Sequence, residues 1–348
     1  MKKFSSMVLA TAILAGTSAF AAGIATLEAV KGTPGSLEVG DAAWAKAKPI
    51  TVVLDQTPYQ PDGYKGMTKS TAVIQALYDD KNIYVKYQYD DPTYSIDRQP
   101  WEKQADGSWK QLKAPDQTKH DNTYYEDKAA IYWNINTKGF DKKGCAIACH
   151  ITKDGMNNGF SDTSAGRKYT RNVGETIDMW HWKGVRGGLP FDQTHDQYVD
   201  STNDPKVNKD WGRKGDEQTA GGYKNNINEA KTAPAFMNKD PKDNAINSIK
   251  DENKVPFVDT FKAGDRIPGP IVTKHVGSSG DIETKAVWKD GKWTMVFKRA
   301  LVTTHPKSAE QDVQFSDLKK PYYFAVSAFD NSQINHVYHD GAIELLFK

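Results

Sequence analysis

The feature that most restricts the fold is an apolar–polar alternation with a period of two. In residues 82–89, Ile83, Val85, Tyr87 and Tyr89 share one face while Lys86 and Gln88 take the other. The run 71–78 precedes it across Asp79-Asp80-Lys81, and the spacing predicts a hairpin. The runs 284–288 and 292–297 are joined by Lys289-Asp290-Gly291, and Asp-Gly between alternating runs is the strongest short hairpin signal. Residues 50–54, 129–135, 322–329 and 342–347 carry the same texture. Many short strands with polar turns predict a mainly β chain, a β-sandwich with a few short helices and long irregular loops, into which both ends of the chain pair.

Between these runs, at about residues 190–270, the sequence is polar, rich in Asn, Asp, Lys, Gly and Pro, and shows little periodicity. It reads as a long loop inserted into a single domain spanning 22–348, and a loop of that length is functional or disordered. Its Asp and Asn density permits a calcium ion, although no motif supports one. Trp211, Tyr223, Phe236 and Phe257 give it material to pack over something apolar, a bound cofactor or the sandwich itself.

The two cysteines of the 348-residue chain stand in Gly144-Cys145-Ala146-Ile147-Ala148-Cys149-His150. This is the Cys-x-x-Cys-His pattern of c-type haem attachment with one extra residue between the thiols. Thiols four apart share one face of a helical turn, and His150 leaves at another angle as proximal iron ligand. Gly144, Ala146 and Ala148 are small enough to admit a porphyrin edge near the backbone. A local disulfide is the plain alternative. Half of a zinc site is the other, and no further cysteine completes thiolate ligation.

Compartment bears on that choice. Lys2 and Lys3 precede an apolar run ending in Ser18-Ala19-Phe20-Ala21, the form of a secretory signal peptide over residues 1–21, too short for a membrane span. Export to the periplasm places the thiols where covalent haem attachment occurs. It also places them where disulfides form, although a single closely spaced pair staples little loop. The chain has 46 Lys+Arg against 44 Asp+Glu, and cleavage after Ala21 leaves the balance near zero. With no basic run, nothing points to nucleic acid. Neither a Gly-x-Ser-x-Gly elbow nor a His-Glu-x-x-His motif is present to support a hydrolase.

Together these pieces resemble the haem-binding domain of the ethylbenzene dehydrogenase gamma subunit and related periplasmic molybdoenzymes of the DMSO-reductase type. The matching residues are Ala76-Leu77-Tyr78-Asp79 with Ile83-Tyr84-Val85, then 144–150, Asp178-Met179-Trp180-His181-Trp182-Lys183, and Phe324-Ala325-Val326 on to Phe347. The Cys-x-x-x-Cys-His insertion is similar to that of a c-type cytochrome branch. The resemblance implies a β-sandwich holding haem at one end, and redox partner proteins in the periplasm, a molybdoenzyme or other terminal reductase among them. Gamma subunits hold b-type haem through a methionine and a lysine. Here no methionine stands near Asn172-Val173, and the lysine position falls near His336.

On that reading the chain is an electron carrier rather than an enzyme, with one haem c bound through Cys145 and Cys149 and His150 as proximal ligand. The distal ligand is expected to be His336 first, with His339 or His181 as alternatives. Met156 and Met179 are further sulfur donors, although methionine is more often core filler. If residues 178–182 form a strand, Trp180 and Trp182 face one way and Met179 and His181 the other. The tryptophans then line the haem site while His181 meets solvent, or the reverse. His120, His195, His275 and His305 are expected on loops without a metal role. Arg167, Lys168, Arg171 and Lys183 are expected to be solvated charge. The competing classes are an exported carbohydrate- or ligand-binding sandwich with a Cys145–Cys149 disulfide, and a haem enzyme or sensor with five-coordinate iron.

Overall fold

The computed structural model describes residues 24–57, 66–115, 120–149, 156–157, 160–161, 168–240, 242 and 247–348. The expected signal peptide, His150, Arg167 and the side chain of Met156 lie outside the described residues. Eleven of the thirteen strands of the main sheet lie along one path: β1 Ala25–Lys31, β2 Ile50–Leu54, β3 Ser70–Tyr78, β4 Asn82–Asp90, β5 Lys128–Asn134, β6 Ile177–Lys183, β7 Gln193–Val199, β8 Ile282–Lys289, β9 Lys292–Ala300, β10 Tyr322–Phe329 and β11 Ile343–Phe347.

Their order is β1-β11-β10-β5-β6-β7-β8-β9-β4-β3-β2, and β1 also pairs with β3. That second pairing closes the sheet on itself. β1 lies parallel to both neighbours, Ala25–Ala29 against β11 and Ala29–Lys31 against β3, whereas the other strand pairs along the path are antiparallel. Closure removes exposed edges from the ring and leaves β2 on the remaining stretch of β3. The fold is the expected β-sandwich with few short helices. Among the described residues no helix is long and apolar enough to cross a membrane.

Both expected hairpins form. Asp290 (φ 52°) and Gly291 (φ 74°) both occupy the left-handed region, as a type I′ turn requires, and Trp288 faces Trp293 across the ladder. In the β3–β4 turn, Asp79 Oδ1 accepts from the backbone N–H of Lys81 (2.8 Å) and Asn82 (2.7 Å), which fixes the register of Tyr78 opposite Ile83.

Alternation sorts side chains between two compartments. Ile83, Val85, Tyr87 and Tyr89 of β4 point inward with Ile131 and Trp133 of β5, Trp180 and Trp182 of β6 and Phe324 and Val326 of β10. Trp133 packs against Trp180 (5.3 Å) and Phe324 (4.6 Å). The intervening residues Ala130, Tyr132, Ile177, Met179 and Ala325 form a second apolar cluster on the outer face with Phe140, Cys145, Ile147 and Cys149. β5 and β6 are therefore buried on both faces, and β6 is buried along its whole length.

The stretch 190–270 is not the irregular loop expected from its composition. It contributes β7 to the main sheet. It also contributes Gln218–Asn225, antiparallel to Pro270–Gly277, which in turn pairs in parallel with Ile249–Lys250. The reason is chemical. Strand β7 reads Gln-Thr-His-Asp-Gln-Tyr-Val, so its alternation is between polar groups and leaves no hydropathy signal.

One end of the sandwich carries a buried acidic group, Asp91 after β4, Asp127 before β5 and Asp330 after β10. Burial, then the neighbouring Asp127, pushes Asp91 up to about 9. A carboxyl whose folded value exceeds its unfolded value, about 3.9, binds more protons in the folded state between the two, so stability falls as pH rises through that window. Asp91→Asn is expected to flatten the decline of Tm between about pH 4 and 9, measured by thermal melts across pH. An unchanged pH profile would remove Asp91 as its source.

Candidate functional site

The cysteine segment follows β5 as one helical turn, Phe140–Lys143, continued by a 3-10 turn, Gly144–Ile147. The Cys149 N–H donates to the Cys145 carbonyl at 2.9 Å, so the two thiols stand one turn apart. Both are free and buried. Cys149 Sγ lies 3.9 Å from the Tyr132 hydroxyl. Burial, then the proximity of Cys149, pushes the Cys145 thiol well up, and burial also raises Cys149. Gly144 has a role other than the one its size suggested. Its φ is 56°, and a β-carbon there would overlap the Gly341 carbonyl. The glycine lets the turn seat against the backbone preceding β11 rather than against a porphyrin edge.

The register of four strands builds the rest of the outer face. Ala325, Tyr132, Met179 and Gln197 form one row, because each pairs with the next across β10, β5, β6 and β7. Ser327, Ala130, His181 and His195 form the next, and Phe329, Lys128 and Lys183 the one beyond. Over these rows lies a cavity of about 350 Å³ whose walls include Met179, His181, Phe329 and Trp211. The cysteine turn borders it. Cys149 bridges to Lys168, which lines the cavity, and Trp211 stacks on Tyr169 at 5.9 Å.

The lining is strongly basic. Among the described residues, Lys128, Lys168, Arg186, Lys209 and Arg213 all contribute, against one acid, Asp210. Arg213 pairs with Asp210 at 3.1 Å, and Arg186 with the buried Glu126 at 2.5 Å. The Lys128 ammonium donates to the Gln333 carbonyl (2.8 Å) and lies 4.2 Å over the Phe329 ring. Burial, then Arg186, holds Lys128 well below the ordinary lysine value. Burial likewise lowers Lys168. Lysines packed among like charges favour an anion between them.

Of the donors lining this cavity, which include His120 and Met179, His181 is the one presented with a vacant nitrogen. Its Nδ1 lies 2.9 Å from Gln197 Oε1, and an amide oxygen only accepts, so Nδ1 carries the proton. Nε2 then presents a lone pair. It is buried without a hydrogen-bond partner. Burial, then Lys183, keeps the imidazole neutral by lowering it well below the ordinary histidine value. A neutral imidazole with one nitrogen held by an oriented acceptor and the other vacant is the form in which histidine ligates metals.

The other expected ligands sit differently. His336 packs on Phe329 at 4.5 Å and its Nδ1 donates to the Ile334 carbonyl at 2.8 Å; it is absent from the cavity walls. His339 is half-buried and its Nδ1 bonds the Val53 carbonyl on β2 at 3.1 Å. Both imidazoles stack on Phe329, His181 at 6.0 Å and His336 at 4.5 Å. Trp180 and Trp182 do not line the cavity. They are on the inner face of β6, in the sandwich core, because their alternation parity is opposite to that of His181.

Several residues expected on loops or in solvent lie on strands, on the cavity wall or in the interior; His275, Lys183 and Lys168 are buried, and His195 and His120 half-buried. His195 lies on β7, stacked on His275 at 4.0 Å. Lys183 reaches His195 Nδ1 at 2.6 Å, and His120 lines the cavity. Lys168 is also buried, whereas Arg171 is exposed. Lys128, Arg186, Gln197 and Arg213 escaped sequence reasoning altogether. For Lys128, Gln197 and Arg213 the only signal is strand parity and register, which the local sequence does not supply, and Arg186 stands in the turn Gly184–Gly188, which carries no signal of its own.

A family model described as ethylbenzene dehydrogenase matches residues 41–341. The chain belongs to that family. No curated protein matches it. Among solved structures, it is similar to a family 9 carbohydrate-binding module from Caldicellulosiruptor kristjanssonii in complex with glucose, at 8% identity, 93% of this chain, 95% of that chain and a TM-score of 0.34. With cellotriose bound, the module matches at 10% identity, 93% and 94% coverage and a TM-score of 0.33.

The seat of the cysteine turn can be tested directly. Gly144→Ala is expected to destabilise the fold by roughly 1–3 kcal/mol, because neither backbone can yield without displacing β11. Thiol labelling of Cys145 and Cys149 under native conditions should become about tenfold faster or more. Denaturant melts and labelling kinetics check both, and an unchanged rate would place the burial of the thiols elsewhere.

Proposed function

We propose that this member of the ethylbenzene dehydrogenase family is an exported, periplasmic haem protein that transfers electrons and holds one haem c over the outer face of β5, β6 and β7. The observation that carries this reading is the unpartnered, neutral Nε2 of His181 in a basic cavity bordered by Cys145 and Cys149. The donor set fits the group. Two thiols one helical turn apart suit thioether attachment, and the excess of lysine and arginine suits the two propionates. Met179, Phe329 and Trp211 supply apolar wall. On this reading His181, in place of His336, and His150 would supply the two nitrogens that hold the iron. Bound haem supplies one-electron exchange at iron, at a potential set by its axial ligands. Gln197 holds the His181 tautomer, and Tyr132 and Trp211 exclude water.

Family membership favours a second arrangement, a non-catalytic haem subunit docked to a periplasmic molybdoenzyme. The residues that hold the cofactor serve both arrangements. A carbohydrate-binding site is less compatible with this cavity, since its cationic walls select anions over neutral sugars.

Protein from cells equipped for haem maturation, extracted with acid acetone and assayed as the pyridine haemochrome, is expected to retain a c-type α-band. In Cys145→Ala/Cys149→Ala the haem should become extractable. His181→Ala should turn a low-spin spectrum high-spin and open the ferrous form to carbon monoxide, while His336→Ala and His339→Ala leave it low-spin. Fully extractable haem in the wild type would replace covalent attachment with b-type binding. No haem at all would sink the reading.

A further inference from the structure

On the inner face of the same strands, behind His181 and Gln197, lies a group of acids that electron transfer does not use. Asp178 of β6 and Asp196 of β7 meet Asp312, and one carboxylate oxygen of each lies within 4.8 Å of the others. All three residues are fully buried. Asp216 and Asp281 interact with the same group. Among the described residues, one guanidinium faces these five acids, that of Arg299, which donates to Asp178 Oδ2 at 2.8 Å and to the Val313 carbonyl at 2.5 Å, and His305 Nε2 lies 3.9 Å from Asp281.

The pattern of satisfied and unsatisfied oxygens is informative. One oxygen of Asp178 is held by Arg299, the Val313 N–H (3.0 Å) and the Trp180 indole (3.2 Å). Asp196 Oδ1 accepts from the Gln197 N–H, and Asp312 Oδ2 from the Thr303 hydroxyl. The second oxygen of each of the three is buried and accepts from no N–H or hydroxyl, and what it meets instead is other carboxyl groups: Asp178 and Asp281 reach Asp196, and Asp216 reaches Asp312. Asp216, outside the triad and 2% exposed, adds an unpartnered Oδ1, and Asp281 another. Buried carboxylate oxygens without donors cost far more than any neutral polar group, and a cation is what satisfies several at once.

We propose that Asp178, Asp196, Asp216 and Asp312 form a divalent-cation site of the calcium class, with Asp281 at its rim. Calcium takes six to eight oxygens at about 2.3–2.6 Å, so oxygens on opposite sides of one ion are separated by about 4.6–5.2 Å. Carboxylate oxygens of the triad that all lie within 4.8 Å of one another are close enough to share one such ion. Magnesium, which keeps several waters and demands a tighter octahedron, suits a dry all-protein cage less well. The site joins four segments: β6, β7, the Asp216 turn, whose N–H reaches the Asp196 carbonyl at 3.3 Å, and the chain at Asp312. Its ion pins the strand pair that presents His181 and Gln197 on the opposite face. The other acidic group, Asp91, Asp127 and Asp330, differs. Both Asp127 oxygens accept from N–H groups of Ser95, Trp293 and Asn331, and one unpartnered oxygen remains, on Asp91.

The full chain, as purified and then stripped with EDTA, is titrated with calcium chloride and separately with terbium. One calcium per chain lost in Asp196→Asn and Asp312→Asn, each with affinity at least tenfold weaker, is the expected result. Terbium emission excited through tryptophan should be displaced by calcium and fall in Trp180→Phe, whose indole touches Asp178; this readout stands even if the Asp variants fail to fold. Absence of calcium and terbium binding at about 1 mM, well above the range of tight protein sites, would overturn the proposal. So would binding that persists unchanged in folded Asp196→Asn and Asp312→Asn, or emission indifferent to Trp180→Phe.

Discussion

The two-faced burial of β6 is the constraint on which the rest depends. Seven consecutive residues, Ile177–Lys183, are buried, and neighbouring side chains point to opposite sides of one sheet. Inward, Trp180 and Trp182 join Trp133 and Trp293 in a core of large rings. Outward, Met179, His181 and Lys183 stand in register with Tyr132, Ala130 and Lys128. A slip of one residue would carry the tryptophans into the cavity and bury the lysine and histidine in the core, so the core holds the site in place.

The outer face depends on a different balance. Apolar packing around the cysteine turn, with Phe140, Ile147 and Ala342, merges into a basic cavity without an apolar barrier between them. Burying several lysines and arginines around one space is unfavourable unless anionic groups compensate. Glu126 and Asp210 compensate two arginines, Arg186 and Arg213. The remaining positive charge is the electrostatic counterpart of the carboxylate-bearing cofactor proposed for the cavity, just as the unpartnered oxygens behind β6 and β7 are the counterpart of a cation. The same pair of strands separates an excess of positive charge on one side from an excess of negative charge on the other.

Closure of the sheet through β1 explains how so polar a chain holds this arrangement. The strand lies between β3 and β11, joining the two ends of the chain in parallel pairing. Stretches that carry little apolar content, β7 and the 218–225 strand above all, are then held by register and hydrogen bonding rather than by hydropathy.

The sequence by itself determined the strands with strong alternation, both tight hairpins and the opposite parity of Trp180 and His181, because a period of two and positive-φ turn residues are properties of short segments. The cysteine turn was legible for the same reason: thiols four apart share a helical face whatever surrounds them. Only the tertiary structure decided which parity faced the core, that His181 rather than His336 lines the cavity, that Gly144 yields to Gly341, and that β7 is a strand. Each of these depends on cross-strand register or on contact between residues far apart in the chain. Lys168 and Lys183 read as solvated charge because a lysine's surroundings are set by partners the local sequence does not contain, and burial of both followed only once β6 and the cysteine turn had been packed together.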